Sequence, residues 1–316
     1  MPSELPLEIV GKTMLTPRIC RFEFADPSGA PLPAYAAGAH VTVHTPSGLT
    51  RSYSLNEPGS NSPYRYVVAV ARNDETGGSA SLHGDTKVGD HITVSRPRNA
   101  FGLSSRARDH LLVAGGIGIT PIRSMLHELR RDRPQDRVRL LYLTRRPEDT
   151  AYLEELSALG PEVVRIHHSD LSGQLDLWEY LGEPGKAHVY CCGPKPLMNH
   201  VRALTMHWDP RHVHFEDFVG VAAGRPGDRA FAVIWEPTNA VIEVAPDQTI
   251  VEALREAGIQ AASSCNAGAC GTCMLRVLAG TVEHRDLVLT EDERETMISA
   301  CVSRAVTPTL ELAPIG

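Results

Sequence analysis

Three cysteines within one short stretch, Cys265-x4-Cys270-x2-Cys273, and a fourth at Cys301 after 27 intervening residues, restrict what the C-terminal part of this chain can fold into. The spacing is that of plant-type [2Fe-2S] ligation. Three thiolates on one loop reach two irons only if the backbone wraps tightly round them. Gly268 and Gly271 permit such a loop, because a residue without a Cβ tolerates unusual dihedrals. Cys301 supplies the fourth ligand from elsewhere. The alternative is a structural zinc site, which usually pairs its ligands as two short Cys or His units. The three-plus-one grouping lacks the second short pair. Cys265, Cys270, Cys273 and Cys301 are therefore the candidate metal ligands.

Composition narrows the rest. The chain has 316 residues, 42% of them apolar and 22% charged, which fits two or three globular domains of about 100–150 residues. A formal charge of −7 argues against a nucleic-acid binder, whose footprint is usually basic. No uninterrupted apolar run approaches the roughly 18 residues of a membrane span. The opening Met1-Pro2-Ser3-Glu4 has neither the basic start nor the apolar core of a signal peptide, so the expected location is the cytoplasm. Seven cysteines in such a chain do not read as a disulfide framework.

The pattern of elements changes twice. Residues 1–103 read as short strands, among them Tyr64–Val70 and His91–Val94, broken by turns such as Asp26-Pro27-Ser28-Gly29. That spacing predicts a small antiparallel β-barrel or sandwich. Over residues 104–220, strand candidates at His110–Ala114, Val138–Thr144, Val163–His167, Ala187–Cys192 and Val213–Phe218 alternate with helical stretches at Pro121–Arg131, Asp149–Ala158 and Pro196–Trp208. Alternation of this kind predicts an α/β domain with a parallel sheet. Residues 221–229 read as a linker, and residues 230–316 hold two strands, a helix over Ile250–Ala257, the cysteines, and a capping box at Thr290-x-x-Glu293.

Two strand ends in the α/β domain carry chemistry. Ala114-Gly115-Gly116-Ile117-Gly118-Ile119-Thr120-Pro121 follows a strand and opens a helix; Thr120 is placed to cap it and Pro121 suits its first turn. Free amides there favour a phosphate, although the Gly-x-Gly-x-x-Gly fingerprint is absent and such junctions are often purely structural. Cys191-Cys192-Gly193-Pro194 ends a second strand, where ligands of open α/β sheets bind. Cys191 reads as a packing residue, as does Cys20. In the barrel region, Arg51-Ser52-Tyr53-Ser54 follows a probable strand, and Gly77-Gly78-Ser79 follows the next. An arginine, glycine amides and a serine hydroxyl suit a phosphate, and Tyr53 suits stacking on a ring. Each is an ordinary turn on its own. Together they predict a flavin: a nicotinamide gives two electrons as a hydride, a cluster takes them singly, and a flavin connects the two.

Taken in order, Arg51-Ser52-Tyr53-Ser54-Leu55, Gly77-Gly78-Ser79, Gly115–Pro121, Tyr190-Cys191-Cys192-Gly193-Pro194, His214-Phe215-Glu216, the stretch from Ser263 through Cys273 and Cys301-Val302-Ser303-Arg304-Ala305 make the chain resemble the phthalate dioxygenase reductase family, which includes vanillate O-demethylase reductases. The resemblance spans residues 5–312. It implies a multidomain fold: an FMN-binding antiparallel β-barrel, a ferredoxin reductase-like α/β NAD domain and a C-terminal plant-type ferredoxin of the β-grasp, α+β type. It implies that Arg51, Tyr53 and Ser54 hold FMN, that Gly77, Gly78 and Ser79 meet its phosphate, and that Val68, Ala69 and Val70 line its ring. It implies Gly115, Gly116, Gly118, Gly193 and Pro194 at the nucleotide, Thr120 at the flavin or nicotinamide edge, Cys192 near the nicotinamide, and Phe218 over the flavin, with Ser54, Thr120 and Cys192 as the catalytic set.

The implied activity is NADH-dependent electron transfer through FMN and a [2Fe-2S] cluster to a separate terminal oxygenase. A hydride step of this kind needs orientation rather than an acid or base. Glu154-Glu155 and Asp292-Glu293 accordingly read as solvated helix faces, and His167-His168, His212 and His214 as structural. A cytochrome P450 or a dehalogenase is the alternative partner, and a non-catalytic ferredoxin-like binding module the alternative of another class. Arg145 and Arg146, after the strand end where a 2′-phosphate is read, keep NADPH open as the donor.

Overall fold

A computed structural model of the chain describes residues 4–72, 77–99, 101–218, 227–246, 248–262, 268 and 271–315. The chain divides into two compact units, Met1–Asp217 and Phe218–Gly316.

The first unit opens with a barrel. Its strands are β1 (Glu4–Thr16), β2 (Ile19–Ala25), β3 (Ala39–His44), β4 (Thr50–Ser54), β5 (Arg65–Ala71), β6 (His91–Ser95) and β7 (Arg98–Asn99), with helix α1 (Gly78–Gly84) between β5 and β6. The sheet runs β4-β3-β6-β1-β2-β5, all antiparallel, with β7 on β3. A bridge from Leu55 to Val68, and the Asn56 amide donating to the Val67 carbonyl at 3.0 Å, join the two ends and close the barrel. Alternation along β2 sends Cys20, Phe22 and Phe24 into a core shared with Leu7, Val41 and Val68. Arg51–Ser54 lies within strand β4 rather than after one. Four polar or part-polar residues in a row carry no two-residue apolar period, so the strand is hidden in the sequence.

The same unit continues into a parallel sheet. Strands β8 (Asp109–Gly115), β9 (Arg137–Thr144), β10 (Val164–His168), β11 (His188–Cys192) and β12 (Val213–Glu216) take the order β10-β9-β8-β11-β12. Helices α2 (Ile119–Asp132), α3 (Leu153–Ser157), α4 (Ser169–Ser172), α5 (Trp178–Leu181) and α6 (Lys195–Leu204) connect them. Helix α2 buries Ile119, Ile122, Leu126 and Leu129, the three- and four-residue spacing of one helical face. That face shares a core with Ala69 and Ile19 of the barrel as well as with Leu112 and Tyr142 of the sheet. Thr120 does not cap α2. The chain enters the helix from a 3-10 turn, Gly116–Gly118, so the Ile119 amide already has carbonyl partners. The Thr120 hydroxyl instead donates to the Ile117 carbonyl at 3.1 Å.

The second unit contains strands β13 (Phe231–Trp235), β14 (Ala240–Val244), β15 (Met274–Ala279), β16 (Val282–Glu283), β17 (Met297–Ser299), β18 (Arg304–Ala305) and β19 (Thr309–Ala313), with helices α7 (Ile250–Glu256) and α8 (Glu291–Arg294). The main sheet runs β14-β13-β19-β15-β17, with β13 and β19 parallel and the other pairs antiparallel. Ile250, Val251 and Leu254 of α7 pack on it, giving the β-grasp arrangement. Both helices begin with a reciprocal capping box, Thr249 with Glu252 and Thr290 with Glu293.

Among the described residues no helix is long and apolar enough to cross a membrane.

Candidate functional site

The C-terminal edge of the parallel sheet gathers three strand ends. In register, Cys192 lies between Ala114 of β8 and Glu216 of β12. The turn after β8 then presses on the turn after β11. A Cβ added at Gly118 would stand 2.2 Å from the Cys192 carbonyl oxygen, and one at Gly115 would stand 2.6 Å from Pro194 Cδ. Only hydrogen fits, so the two turns meet backbone to backbone. Gly116 has a left-handed φ of 53°, and its carbonyl accepts from the Tyr142 hydroxyl at 3.3 Å.

Cys192 is fully buried, and burial, reinforced by the negative charge of Glu216, holds its thiol well above the ordinary range. The side chain is a neutral thiol at physiological pH, unfit as a nucleophile, and it packs in the core with Leu112 and Ile119. Cys191 points the other way, into a core with Leu111 and Val113, as a packing residue should. Ser54, at the end of barrel strand β4, reaches this edge: its hydroxyl donates to Glu216 Oε2 at 3.3 Å. Ser54, Cys192, Glu216 and the Gly115–Gly118 turn thus converge from the barrel and the α/β sheet.

The barrel residues divide by face. Tyr53 and Arg51 pair with Val41 and Val43, whose side chains are in the barrel core, whereas Ser54 and Ser52 alternate to the other side. Arg51 lies across the first turn of α1, where a Cβ at Gly78 would stand 2.8 Å from Arg51 Cγ. Gly77, just before it, has φ 120°, and Ser79 lies one residue on. The Tyr53 hydroxyl is buried with no hydrogen-bond partner among the described residues, and burial pushes its pKa up. A buried hydroxyl without a partner costs about 1–3 kcal/mol, and the isoalloxazine of a flavin offers the polar atoms that would satisfy it. The residues present fit FMN. On β5, Val68 and Val70 point into the barrel core and only Ala69 joins the core shared with α2.

A polar clamp holds the barrel to α2. Arg123 Nε and Nη2 donate to the two oxygens of Glu155 at 2.9 and 3.0 Å, and Nη1 donates to the Asn56 carbonyl at 2.6 Å. Glu128 accepts from the amides of Ala37 and Gly59 at 2.8 and 2.9 Å. Glu155 is therefore not a solvated helix face. Burial raises its pKa, but hydrogen bonds from His127 and Arg123 outweigh that and hold it at about 2. Its partners are 28 and 32 positions away, beyond the range of local pattern.

In the second unit, Cys273 and Cys301 are buried, and the Ser299 hydroxyl lies 3.3 Å from Cys273 Sγ and 3.9 Å from Cys301 Sγ. Gly268 has φ 66°, and a Cβ there would strike Val302 Cγ2 at 2.6 Å. Cys265 and Cys270 lie outside the described residues. The chemistry of two buried thiols with an interposed hydroxyl fits thiolate ligation of a cluster. Phe218 is the first residue of this unit.

Sequence reasoning named Glu216 within the His214-Phe215-Glu216 motif but gave it no role, and it missed Ser299 and the Arg123 clamp. Glu216 had a usable signal, since it ends a parallel strand, where ligands of such sheets bind. Ser299 and Arg123 had none, because their partners are set by tertiary packing.

Residues 233–306 match the 2Fe-2S iron-sulfur cluster binding domain family, and residues 112–203 match the oxidoreductase NAD-binding domain family. The chain is 45% identical over 310 residues to the phthalate 4,5-dioxygenase oxygenase reductase subunit of Pseudomonas putida, covering 95% of this chain and 93% of the relative. It is 37% identical over 298 residues to the vanillate O-demethylase oxidoreductase of Acinetobacter baylyi, covering 92% and 93%. Among solved structures it is similar to phthalate dioxygenase reductase, described as a modular structure for electron transfer from pyridine nucleotides to [2Fe-2S]. That match has a TM-score of 0.75 and 42% identity, covering 98% of both chains.

Proposed function

The chain belongs to the phthalate dioxygenase reductase family, and from that premise we propose that it takes reducing equivalents from NADH and passes single electrons to the terminal component of an aromatic-ring oxygenase or O-demethylase. It is an oxidoreductase with a pyridine-nucleotide domain and a [2Fe-2S] domain. FMN, when bound, supplies the exchange between a hydride pair and the single electrons a cluster accepts.

The observation that carries the reading is the convergence of Ser54, Cys192 and Glu216 at one sheet edge. The edge can seat a nicotinamide between a barrel strand and two strand-end turns, as ligand sites of open α/β sheets require. The closely apposed Gly118 and Cys192 turns give a floor of main-chain atoms. Cys192 lies beneath the edge as neutral core packing, and Ser54 and Glu216 supply a fixed donor–acceptor pair. Arg51, Tyr53 and Ser54, with Gly77, Gly78 and Ser79, would hold FMN; Gly115, Gly116, Gly118, Gly193 and Pro194 would hold the nucleotide; Cys265, Cys270, Cys273 and Cys301 would ligate the cluster. No residue needs to move a proton for hydride transfer, so catalysis here is orientation and exclusion of water.

The division into a flavin barrel (1–103), a nucleotide domain (104–220), a linker (221–229) and a cluster domain (230–316) is part of this proposal, as is a location in the cytoplasm, where NADH is supplied.

Anaerobic visible spectra of the purified protein test it, with NADH added to one sample and NADPH to another. Flavin bands over an iron–sulfur background, both bleached by NADH, are the expected result. Iron–sulfur colour with no flavin after FMN is supplied, and no bleaching, would favour a ferredoxin-like module instead.

A further inference from the structure

The end of β9 carries two arginines in succession, Arg145 and Arg146, at the position where an α/β nucleotide domain reads the 2′ substituent of the adenosine ribose. Two adjacent guanidinium groups would ordinarily select a 2′-phosphate, and so NADPH, through charge-assisted hydrogen bonds. The structure treats the two residues differently.

Arg146 is held at both ends. Its carbonyl accepts from the Thr150 hydroxyl at 2.9 Å, and Thr150 Oγ1 in turn lies 2.7 Å from Thr144 Oγ1. Its guanidinium donates through Nε to Asp170 Oδ2 at 2.8 Å, with Glu148 Oε1 at 4.0 Å from Nη1. Asp170 comes from the neighbouring strand end, just after β10, and its own amide donates to the Arg145 carbonyl at 3.1 Å. The Asp170 carboxylate is thus tied to this turn by its backbone as well as by its charge. The Arg145 side chain has no ion pair or hydrogen bond among the described residues.

We propose that Asp170 is the specificity-determining residue of the nucleotide site: by occupying Arg146 it denies a 2′-phosphate its second cationic partner and sets a preference for NADH over NADPH. The inference rests on the functional reading above. The physical argument concerns charge rather than the strength of one bond. An exposed ion pair by itself is weak, and a dianionic phosphate could compete for the guanidinium. In the position the structure gives Arg146, however, a phosphate bound to it lies beside the carboxylates of Asp170 and Glu148. Like charges at such range oppose binding. Asp149, next to Glu148, adds a third negative charge to the same turn. The two arginines are outnumbered by three carboxylates, which is why their presence in the sequence is not a signature of NADPH.

The test is direct binding, by calorimetry on the full-length protein, of two probes that differ only by the 2′-phosphate: 5′-AMP and 2′,5′-ADP. Asp170→Asn keeps the shape and removes the charge. It is expected to shift the ratio of the two dissociation constants toward 2′,5′-ADP by roughly tenfold, the worth of one charge-assisted hydrogen bond to the phosphate. Asp170→Glu should keep the original ratio, and Asp170→Asn combined with Arg146→Gln should return to it. An unmoved ratio in Asp170→Asn, with 5′-AMP still bound by the parent protein, overturns the assignment and leaves the functional reading intact. A shift that persists in the double variant overturns the role of Arg146. A parent protein that binds neither probe and is not bleached by either nucleotide overturns the functional reading, and this assignment with it.

Discussion

Ser54 and Glu216 stand 162 positions apart and meet through a hydroxyl-to-carboxylate hydrogen bond of 3.3 Å. One ends a barrel strand and the other ends the edge strand of the parallel sheet. Their meeting joins the barrel to the sheet edge proposed to seat the nicotinamide. Ser54→Ala is expected to slow flavin reduction by NADH about tenfold through lost orientation, compared with the parent at saturating FMN. Stopped-flow absorbance decides; an unchanged rate would remove Ser54 from the catalytic set.

Tyr53→Phe tests the flavin pocket through stability. Without FMN the variant should be more stable than the parent by about 1 kcal/mol, because an unpartnered buried hydroxyl has been removed. With saturating FMN the order should reverse. Melting curves with and without FMN give the answer, and a variant equally favoured in both states would mean the hydroxyl does not face the cofactor.

The Arg123 clamp predicts a defect in stability with a pH signature. Glu155 titrates at about 2 in the folded chain against an ordinary 4.5. A depressed carboxylate contributes stability above its unfolded pKa, and that contribution is lost as pH falls from about 4.5 through 2. Arg123→Met should lower unfolding free energy at pH 7 by about 2 kcal/mol, less than for a fully buried pair because Glu155 is part-exposed. The difference from the parent should shrink below pH 3 in urea titrations. A pH-independent difference would assign the loss to packing alone.

His214 stacks on Tyr190 with ring centroids 4.5 Å apart, and its Nε2 lies 3.0 Å from His188 Nδ1. Burial first, then the charges of His188 and His212, hold its pKa down at about 4. The folded state therefore binds fewer protons than the unfolded state between pH 6.5 and 4, and stability falls on acidification across that window. His214→Gln should flatten the dependence of melting temperature on pH there; a slope identical to the parent's would place the titration elsewhere.

Ser299 adjoins both described cysteines of the proposed cluster site. A hydroxyl donating to a ligating thiolate favours the more negative, reduced state. Ser299→Ala should shift the cluster to a more negative midpoint potential with its iron content unchanged. Redox titration followed by electron paramagnetic resonance would show it, and an unmoved potential would limit Ser299 to packing.

Much of this architecture was legible because its signals are local. The cysteine spacing, the glycine turn before α2 and the alternation of strand and helix each follow from a few neighbouring residues. What stayed hidden depended on distance or on broken period. β1 is a 13-residue strand, yet its register shifts between Ile9 and Gly11 and again between Met14 and Thr16, so the apolar alternation that marks a strand is interrupted. Thr120 looked like a helix cap because its residue type and position suit one, but a preceding 3-10 turn had already satisfied the amide. Arg145 and Arg146 looked equivalent until Asp170, from helix α4 just after the next strand, was placed beside one of them.

The close approach of the Gly118 and Cys192–Gly193 turns has a consequence for how this protein can be altered. A side chain that is too large for its pocket is often rescued by a smaller neighbour. Here the obstacle to any side chain at Gly118 is the carbonyl of Cys192, and the obstacle at Gly193 is the main chain of Gly115. Main-chain atoms cannot be exchanged for smaller ones. Second-site suppressors of a Gly118 substitution should therefore be absent from a selection for activity, and survivors should be true revertants at the original codon.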